Sequence, residues 1–269
     1  MASYEMQGLT WQALKKNQQD AVLIAGKVIQ HKGIYSKPFL FNADESWCAA
    51  VADGISSHSH SGMAAHQVLE TVQRYYAQHE QDIKFAYIQD ELCRALDHAG
   101  LNDPEDAEGS LSCAETYGAG TTMALARHAA ADPPNLIRIQ SLGDSRVYAF
   151  CSLQRKWQPL TQDDNFYNEL AGLHALEDQE LASIYDVLTG FFCADWQEEV
   201  AEKNTVRHQV KTGDALLICT DGVYDAMEHA EWPPVALGQP LKVWLTEFYE
   251  SIKYRAGDNL SLVLIRVNS

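Results

Sequence analysis

The chain is poor in cations. Its 269 residues carry 20 Lys and Arg against 37 Asp and Glu, a net charge of −17. A surface this acidic repels phosphodiester backbones and anionic lipid, so neither nucleic acid nor a membrane is an expected partner. The excess acid either serves solubility or includes carboxylates that converge to hold metal. Glycine (16) and proline (8) are too scarce for a collagen-like or low-complexity chain. No run approaches the roughly 18 apolar residues of a membrane span. The opening MASYEMQGLTWQ lacks the charged and then apolar pattern of a secretory signal. Six cysteines are present, none in a CxxC and none at zinc-ligand spacing. Most, such as Cys48 and Cys219, lie in apolar runs and read as buried, reduced thiols of a cytoplasmic protein.

With 46% hydrophobic residues, the chain has material for a substantial core. It shows no internal repeat and no long linker. Short β-rich runs bounded by Gly, Asp, Asn or Pro predict strands at Ala21–Ala25, Trp47–Ala52, Thr121–Ala126, Leu136–Leu142, Val147–Cys151, Ala215–Thr220 and Leu260–Val267. Ala65, Val68, Leu69, Val72 and Tyr76 fall on one helical face. Further helical patterns cover Ile83–Ala99 and Leu241–Tyr254. Helices thus stand in blocks between groups of strands, which favours α+β with antiparallel sheets over a doubly wound fold. Leu101–Thr116, rich in Asp, Glu, Ser and Gly, reads as an exposed loop. Asp163–Glu202 is long and irregular enough to be a functional lid.

The placement of aspartates carries the most information. Asp53, Asp144 and Asp221 follow strand runs, whereas Asp20 and Asp258 precede them. In antiparallel sheets the end of one strand lies beside the start of its neighbour, so all five can meet at one sheet edge. Any one alone is most simply a turn residue. Together they would repel unless neutralised, and oxygen donors of this kind suit Mg²⁺ or Mn²⁺ rather than zinc. A glycine directly after Asp53, Gly54, lets backbone approach an ion closely.

Seven elements then occur in order. They are Lys15-Lys16-Asn17-Gln18-Gln19-Asp20, Val51-Ala52-Asp53-Gly54, Gly120-Thr121-Thr122, Gly143-Asp144-Ser145-Arg146, Leu160-Thr161-Gln162-Asp163-Asp164, Thr220-Asp221-Gly222 and Asp258-Asn259. This series resembles the metal-dependent protein phosphatases, the type 2C Ser/Thr phosphatases, over about residues 8–267. The resemblance implies a four-layer α-β-β-α sandwich with two mostly antiparallel sheets. It implies one catalytic domain over residues 1–269, with a flap at about 163–202. It also implies two Mg²⁺ or Mn²⁺ ions bridged by Asp53, with Asp20, Asp221, Asp258 and the Gly54 carbonyl completing the set. Asp144, with Asp221, matches a weaker third site. A bridging water would hydrolyse phosphoserine and phosphothreonine directly, without a cysteine nucleophile.

Departures from the pattern bear on substrate. Lys15 stands where the family has a phosphate-binding arginine, and a point charge replaces a bidentate fork. Gln18 replaces an asparagine, and Ser56-Ser57 replace glycines. His58 matches the histidine of the bacterial D-G-M-G-G-H and is the candidate proton donor, with a plain loop histidine as the alternative. The flap reads Leu188-Thr189-Gly190-Phe191-Phe192-Cys193, without the usual arginine. The implied protein is a bacterial-type, cytoplasmic, monomeric enzyme acting on phosphoproteins and opposing a Ser/Thr kinase. The competing reading is a weak or silent relative that binds a phosphorylated partner.

Overall fold

A computed structural model describes residues 3–34, 37–98, 118–172, 187–195, 200 and 204–269. In chain order the strands are β1 (Ser3–Trp11), β2 (Ala21–Ile24), β3 (Lys27–Ile29), β4 (Gly33–Ile34), β5 (Phe39–Asn42), β6 (Trp47–Ala52), β7 (Gly120–Thr121), β8 (Met123–His128), β9 (Leu136–Leu142), β10 (Arg146–Cys151), β11 (Lys156–Pro159), β12 (Phe192–Cys193), β13 (Asn204–Gln209), β14 (Ala215–Cys219) and β15 (Leu260–Asn268). The α-helices are α1 (Ser61–Tyr76), α2 (Phe85–His98), α3 (Phe166–Gly172), α4 (Asp221–Tyr224) and α5 (Leu241–Ile252).

One large sheet runs β11-β10-β14-β15-β1-β4, with β5 also on β1; the second runs β13-β9-β8-β6-β2-β3, and β7 and β12 form a separate two-stranded ladder. Among the described residues, every strand pairing is antiparallel. Alternate residues of each sheet face a shared apolar layer: Val22, Val51, Ala124 and Ile139 from one meet Val147, Leu216, Ile218 and Val263 from the other. The opposite faces are covered by helices. Val68, Leu69 and Val72 of α1 and Ile88 and Leu92 of α2 pack on Leu23, Ala50 and Leu125. Trp244, Leu245, Phe248 and Ile252 of α5 pack on Leu217, Leu262 and Leu264. Helix, sheet, sheet and helix form the expected four layers. Among the described residues, no helix is long and apolar enough to cross a membrane.

Several local expectations need correction. The run Thr121–Ala126 is not one strand. Thr122 leaves the ladder, its N–H donating 2.9 Å to the Asp53 carbonyl and its hydroxyl lying 2.8 Å from Ser145 Oγ. The break splits the run into β7 and β8. The first helix begins with His60 as its N-cap, in the left-handed region at φ 55°. The expected strand Ala21–Ala25 stops at Ile24 because Ala25 turns to φ 48° before Gly26 at φ 70°. Strands β1, β3, β4, β5, β11, β12 and β13 are additions to the sequence reading. The loop expected at Leu101–Thr116, and residue 99 of the second helical pattern, lie outside the described residues. So does much of the 163–202 segment. Five of the six cysteines are described, and all five are free.

Candidate metal centre

The ladders place four of the candidate aspartates by register. In the helix-pair sheet, Ala21 pairs with Ala52, so Asp20 and Asp53 are the next residues out on adjacent strands. In the other sheet, Cys219 pairs with Leu262 and the Thr220 N–H donates 3.0 Å to the Ser261 carbonyl. Asp221 and Asp258 therefore leave at the same end. Asp144 sits in the turn from β9 to β10, beside Arg146, which pairs with Cys219. The five carboxylates thus come from both sheets, at one end of the sandwich, and not from a single sheet edge as the strand pattern alone suggested.

Their environment disfavours charge. Asp20 is fully buried, and burial followed by the field of Asp221 pushes it up to about 7. Asp53 is raised well above the carboxylate range by burial and then by Asp20, Asp221 and Asp144. Burial and Asp221 push Asp144 up to about 8. Burial also raises Asp221, whose carboxyl hydrogen-bonds that of Asp53. Asp258 differs: its Oδ2 lies 2.7 Å from Lys15 Nζ. That contact, despite partial burial, holds Lys15 above its ordinary value. Lys15 Nζ also donates 3.1 Å to Ser56 Oγ.

Several supports lay outside the sequence reading. Thr220 Oγ1 donates 2.9 Å to Asp20 Oδ2. Asn259 Oδ1 accepts from the Gln19 N–H at 2.6 Å, and its amide donates to the carbonyls of Gln12 (2.8 Å) and Asn17 (3.1 Å). One side chain thus clamps the loop that delivers Asp20 against the start of β15. Arg146 forks onto both oxygens of Asp163, at 2.7 and 2.6 Å, and lies 3.7 Å from the centre of the Tyr224 ring. Tyr224 in turn donates 3.0 Å to the Asp144 carbonyl. The signals were present as the residues flanking each aspartate, namely Thr220, Asn259 and Arg146. Their geometry required the fold.

Two observations test whether these residues suit a hard cation. Among the described residues, Asp20 Oδ1 and Asp221 Oδ1 are buried with no hydrogen-bond partner, which is costly for oxygens of this kind. Gly54 is packed so closely that a Cβ would come within 2.7 Å of the Ser61 carbonyl carbon and 2.9 Å of the Gln19 oxygen. Acceptor-only oxygens around crowded backbone fit Mg²⁺ or Mn²⁺. Among the described residues, no three His, Cys, Asp or Glu side chains already close into a cage. Asp53 instead lies against both Asp20 and Asp221, while Asp258 is ion-paired with Lys15.

His58 lies at one side of this end. Its ring is edge-on to Phe191, with centroids 5.4 Å apart, and its Nδ1 is 4.0 Å from Cys193 Sγ. Gly120 makes room for it, since a Cβ there would fall 2.2 Å from Nδ1. Burial lowers the His58 pKa, and Asp195 opposes that shift. Phe192, by contrast, is fully buried against Phe85, 5.6 Å between centroids. Of the two flap phenylalanines, one fills core and the other faces His58.

Residues 36–259 match the family model described as protein phosphatase 2C. A Mycoplasma pneumoniae protein, itself only provisionally described as a protein phosphatase, is 33% identical over 131 residues, 47% of this chain and 49% of that protein. The chain therefore aligns with about half the length of that relative. The fold matches the Streptococcus agalactiae serine/threonine phosphatase at TM-score 0.69, with 19% identity over 98% of this chain and 99% of the other. It matches the Mycobacterium tuberculosis serine/threonine phosphatase PstP/Ppp at 0.66, with 17% identity over 99% and 100%. A PstP catalytic domain solved with two manganese ions matches at 0.65, with 18% identity over the full length of both chains.

Proposed function

Because this chain belongs to the protein phosphatase 2C family, we propose that it hydrolyses phosphoserine and phosphothreonine in proteins, using Mg²⁺ or Mn²⁺ held among Asp20, Asp53, Asp221, Asp258 and the Gly54 carbonyl. Asp144 would add a weaker third position. The observation that carries the reading is the pair of buried, unpartnered carboxylate oxygens on Asp20 and Asp221, at the end where Asp53 is also delivered. Metal dependence is supported by the manganese-bound PstP relative.

When bound, the divalent ions supply Lewis acidity, acidifying water into a nucleophile at neutral pH and neutralising phosphoryl oxygens. The chain's own groups do the rest. Lys15, at the rim between Asp258 and Ser56, offers its ammonium to a phosphate oxygen. Being a point charge, it orients the phosphate less than an arginine fork would. The Asn259 clamp and the Thr220 hydroxyl fix Asp20 before substrate arrives, which spares reorganisation during the reaction. His58 is the proposed proton donor to the leaving alkoxide. Its burial favours the neutral ring, so the donor form is more populated toward acidic pH.

The reading extends to a single catalytic domain, a flap over about 163–202, a cytoplasmic monomer and an opposing Ser/Thr kinase. A silent relative that only binds a phosphorylated partner is not favoured, since every carboxylate of the set is retained. The test is phosphate release from a phosphothreonine peptide and from p-nitrophenyl phosphate, with Mn²⁺, Mg²⁺ or EDTA, for the wild type and Asp221→Asn. Metal-dependent turnover abolished by the substitution is expected. Folded wild-type protein inert on both substrates with both metals would refute the proposal.

A further inference from the structure

A strip of aromatic and basic side chains, half-buried at Trp11 and Tyr249 and exposed at Lys32 and Tyr254, runs away from the rim of the carboxylate end along the α5 flank. It starts at Trp11, which pairs in the ladder with Leu260, two residues beyond Asp258. Lys32 Nζ lies 5.6 Å from the centre of the Trp11 ring. Trp11 meets Tyr249 edge-on at 5.3 Å, and Lys253 lies over both Tyr249 (5.6 Å) and Tyr254 (4.7 Å). Tyr254 is 87% exposed, far more than packing needs.

The turn at Gln12–Lys16 completes the strip. Gln12 Nε2 donates to the carbonyls of Lys15 (2.9 Å) and Lys16 (2.7 Å), which fixes the turn. Ala13 is held in the left-handed region at φ 51°, a conformation a non-glycine residue rarely adopts. The result is a division of labour. Lys15 points to Asp258, while Leu14 is 87% exposed and Lys16 is also exposed. A leucine held in water by a rigid turn is a contact surface in waiting.

The charge of the strip opposes that of the whole. Lys253 is neutralised by Glu250 at 2.6 Å, and Lys15 by Asp258. Among the described residues, however, Lys16, Lys32 and Arg255 have no carboxylate within ion-pair distance. In a chain of net charge −17, these three cations give the strip a local charge that favours an acidic segment.

We propose that this strip receives the segment of the phosphoprotein substrate that flanks the phosphoresidue, and that it selects segments bearing Asp or Glu together with an apolar side chain. The cations Lys16, Lys32 and Arg255 read the acidic residues. Leu14, Trp11 and Tyr254 take the apolar one. This inference rests on the phosphatase reading, and it concerns which substrates are chosen, not the chemistry performed on them.

The experiment compares kcat and KM for two phosphothreonine peptides, one flanked by Glu and Leu and one flanked by Lys and Ser, with p-nitrophenyl phosphate as a substrate too small to reach the strip. Wild type is set against the double variant Lys32→Glu/Arg255→Glu and against Tyr254→Ala. The expected wild-type preference is for the acidic peptide. The double variant should raise its KM roughly three- to tenfold with kcat held. It should lower KM for the basic peptide and leave p-nitrophenyl phosphate unchanged. Added salt should shrink the wild-type preference. Equal KM for the two peptides in the wild type, or no differential change in the variants while p-nitrophenyl phosphate turns over normally, would overturn the proposal. A dimer in sedimentation that the variants dissolve would assign the strip to a second copy of the chain and overturn it as well. Failure of the wild type on p-nitrophenyl phosphate would instead sink the phosphatase reading and take this inference with it.

Discussion

Replacing Asp20 by asparagine removes a charge while keeping the shape, and the outcome should invert with pH. The side chain is fully buried, with one oxygen held by Thr220 and the other without a partner. Burial and Asp221 move its pKa from the ordinary 3.8 to about 7. At about 1.36 kcal/mol per pKa unit, a shift of roughly three units corresponds to about 4 kcal/mol for ionising it in the fold. Asp20 titrates together with Asp53 and Asp221, so changing Asp20 alone is expected to recover only part of this, on the order of 2 kcal/mol. The native state holds this proton more tightly than the unfolded chain does. Its stabilising contribution is therefore complete below about pH 4 and is lost as pH rises through about 7.

Urea unfolding in EDTA at about pH 4 and about pH 8 would read this directly. The two proteins should be nearly equally stable at the lower pH. At the higher pH, Asp20→Asn should be the more stable by about 2 kcal/mol. Adding Mn²⁺ at the higher pH should reverse the order, because the wild type gains binding energy that the variant largely lacks. A variant less stable than wild type by the same amount at both pH values would refute the reasoning. It would show that the Asp20 carboxylate is tolerated ionised and contributes as a hydrogen-bond acceptor only.

Two further substitutions probe the supports. Gly222→Ala would place a Cβ 2.1 Å from the Asn259 carbonyl oxygen, a backbone atom that cannot step aside without moving the clamp. A loss of roughly 3 kcal/mol is expected in the urea midpoint, together with weakened Mn²⁺ binding by calorimetry. An unchanged midpoint would mean that the α4–β15 junction is loose. Arg146→Lys forfeits both the fork to Asp163 and the stacking on Tyr224, and should cost about 2 kcal/mol. A double-mutant cycle with Asp163→Asn should show most of that loss as coupling between the two residues.

The order of the site aspartates was legible because each follows or precedes a run that only a buried strand explains. Trp47–Ala52 was read to the residue because both faces of that strand are apolar, and Leu136–Leu142 because its apolar residues end at the Gly143-Asp144 turn, although Arg138 and Gln140 interrupt one face. Strand β1 was not legible. It is buried along its interior, yet it spells Glu5, Gln7, Gly8 and Thr10 among its apolar residues. Glu5 is admitted because Arg266, opposite it in the ladder, ion-pairs with it, and Thr10 because Ser261 lies 2.8 Å away. Partners more than 240 residues distant make those polar positions buried, and no local pattern carries that information. The same holds for the Asn259 clamp. The dipeptide Asp258-Asn259 marked the place, but the bonds to Gln12, Asn17 and Gln19 exist only once β1 and β15 are side by side.

That pairing has a consequence for synthesis. Nine successive residues of Ser3–Trp11 are matched to Asn268–Leu260, so β1 waits for β15, made about 250 residues later, before that edge is filled. Until residue 268 clears the ribosome, the seven-stranded sheet is open at its middle, and neither Asp258 nor Asn259 is in place to complete the carboxylate end. Contacts this distant in sequence make folding slow and leave an unpaired strand edge exposed meanwhile. A nascent chain truncated anywhere before β15 would be inactive, and it would also be a candidate for chaperone capture.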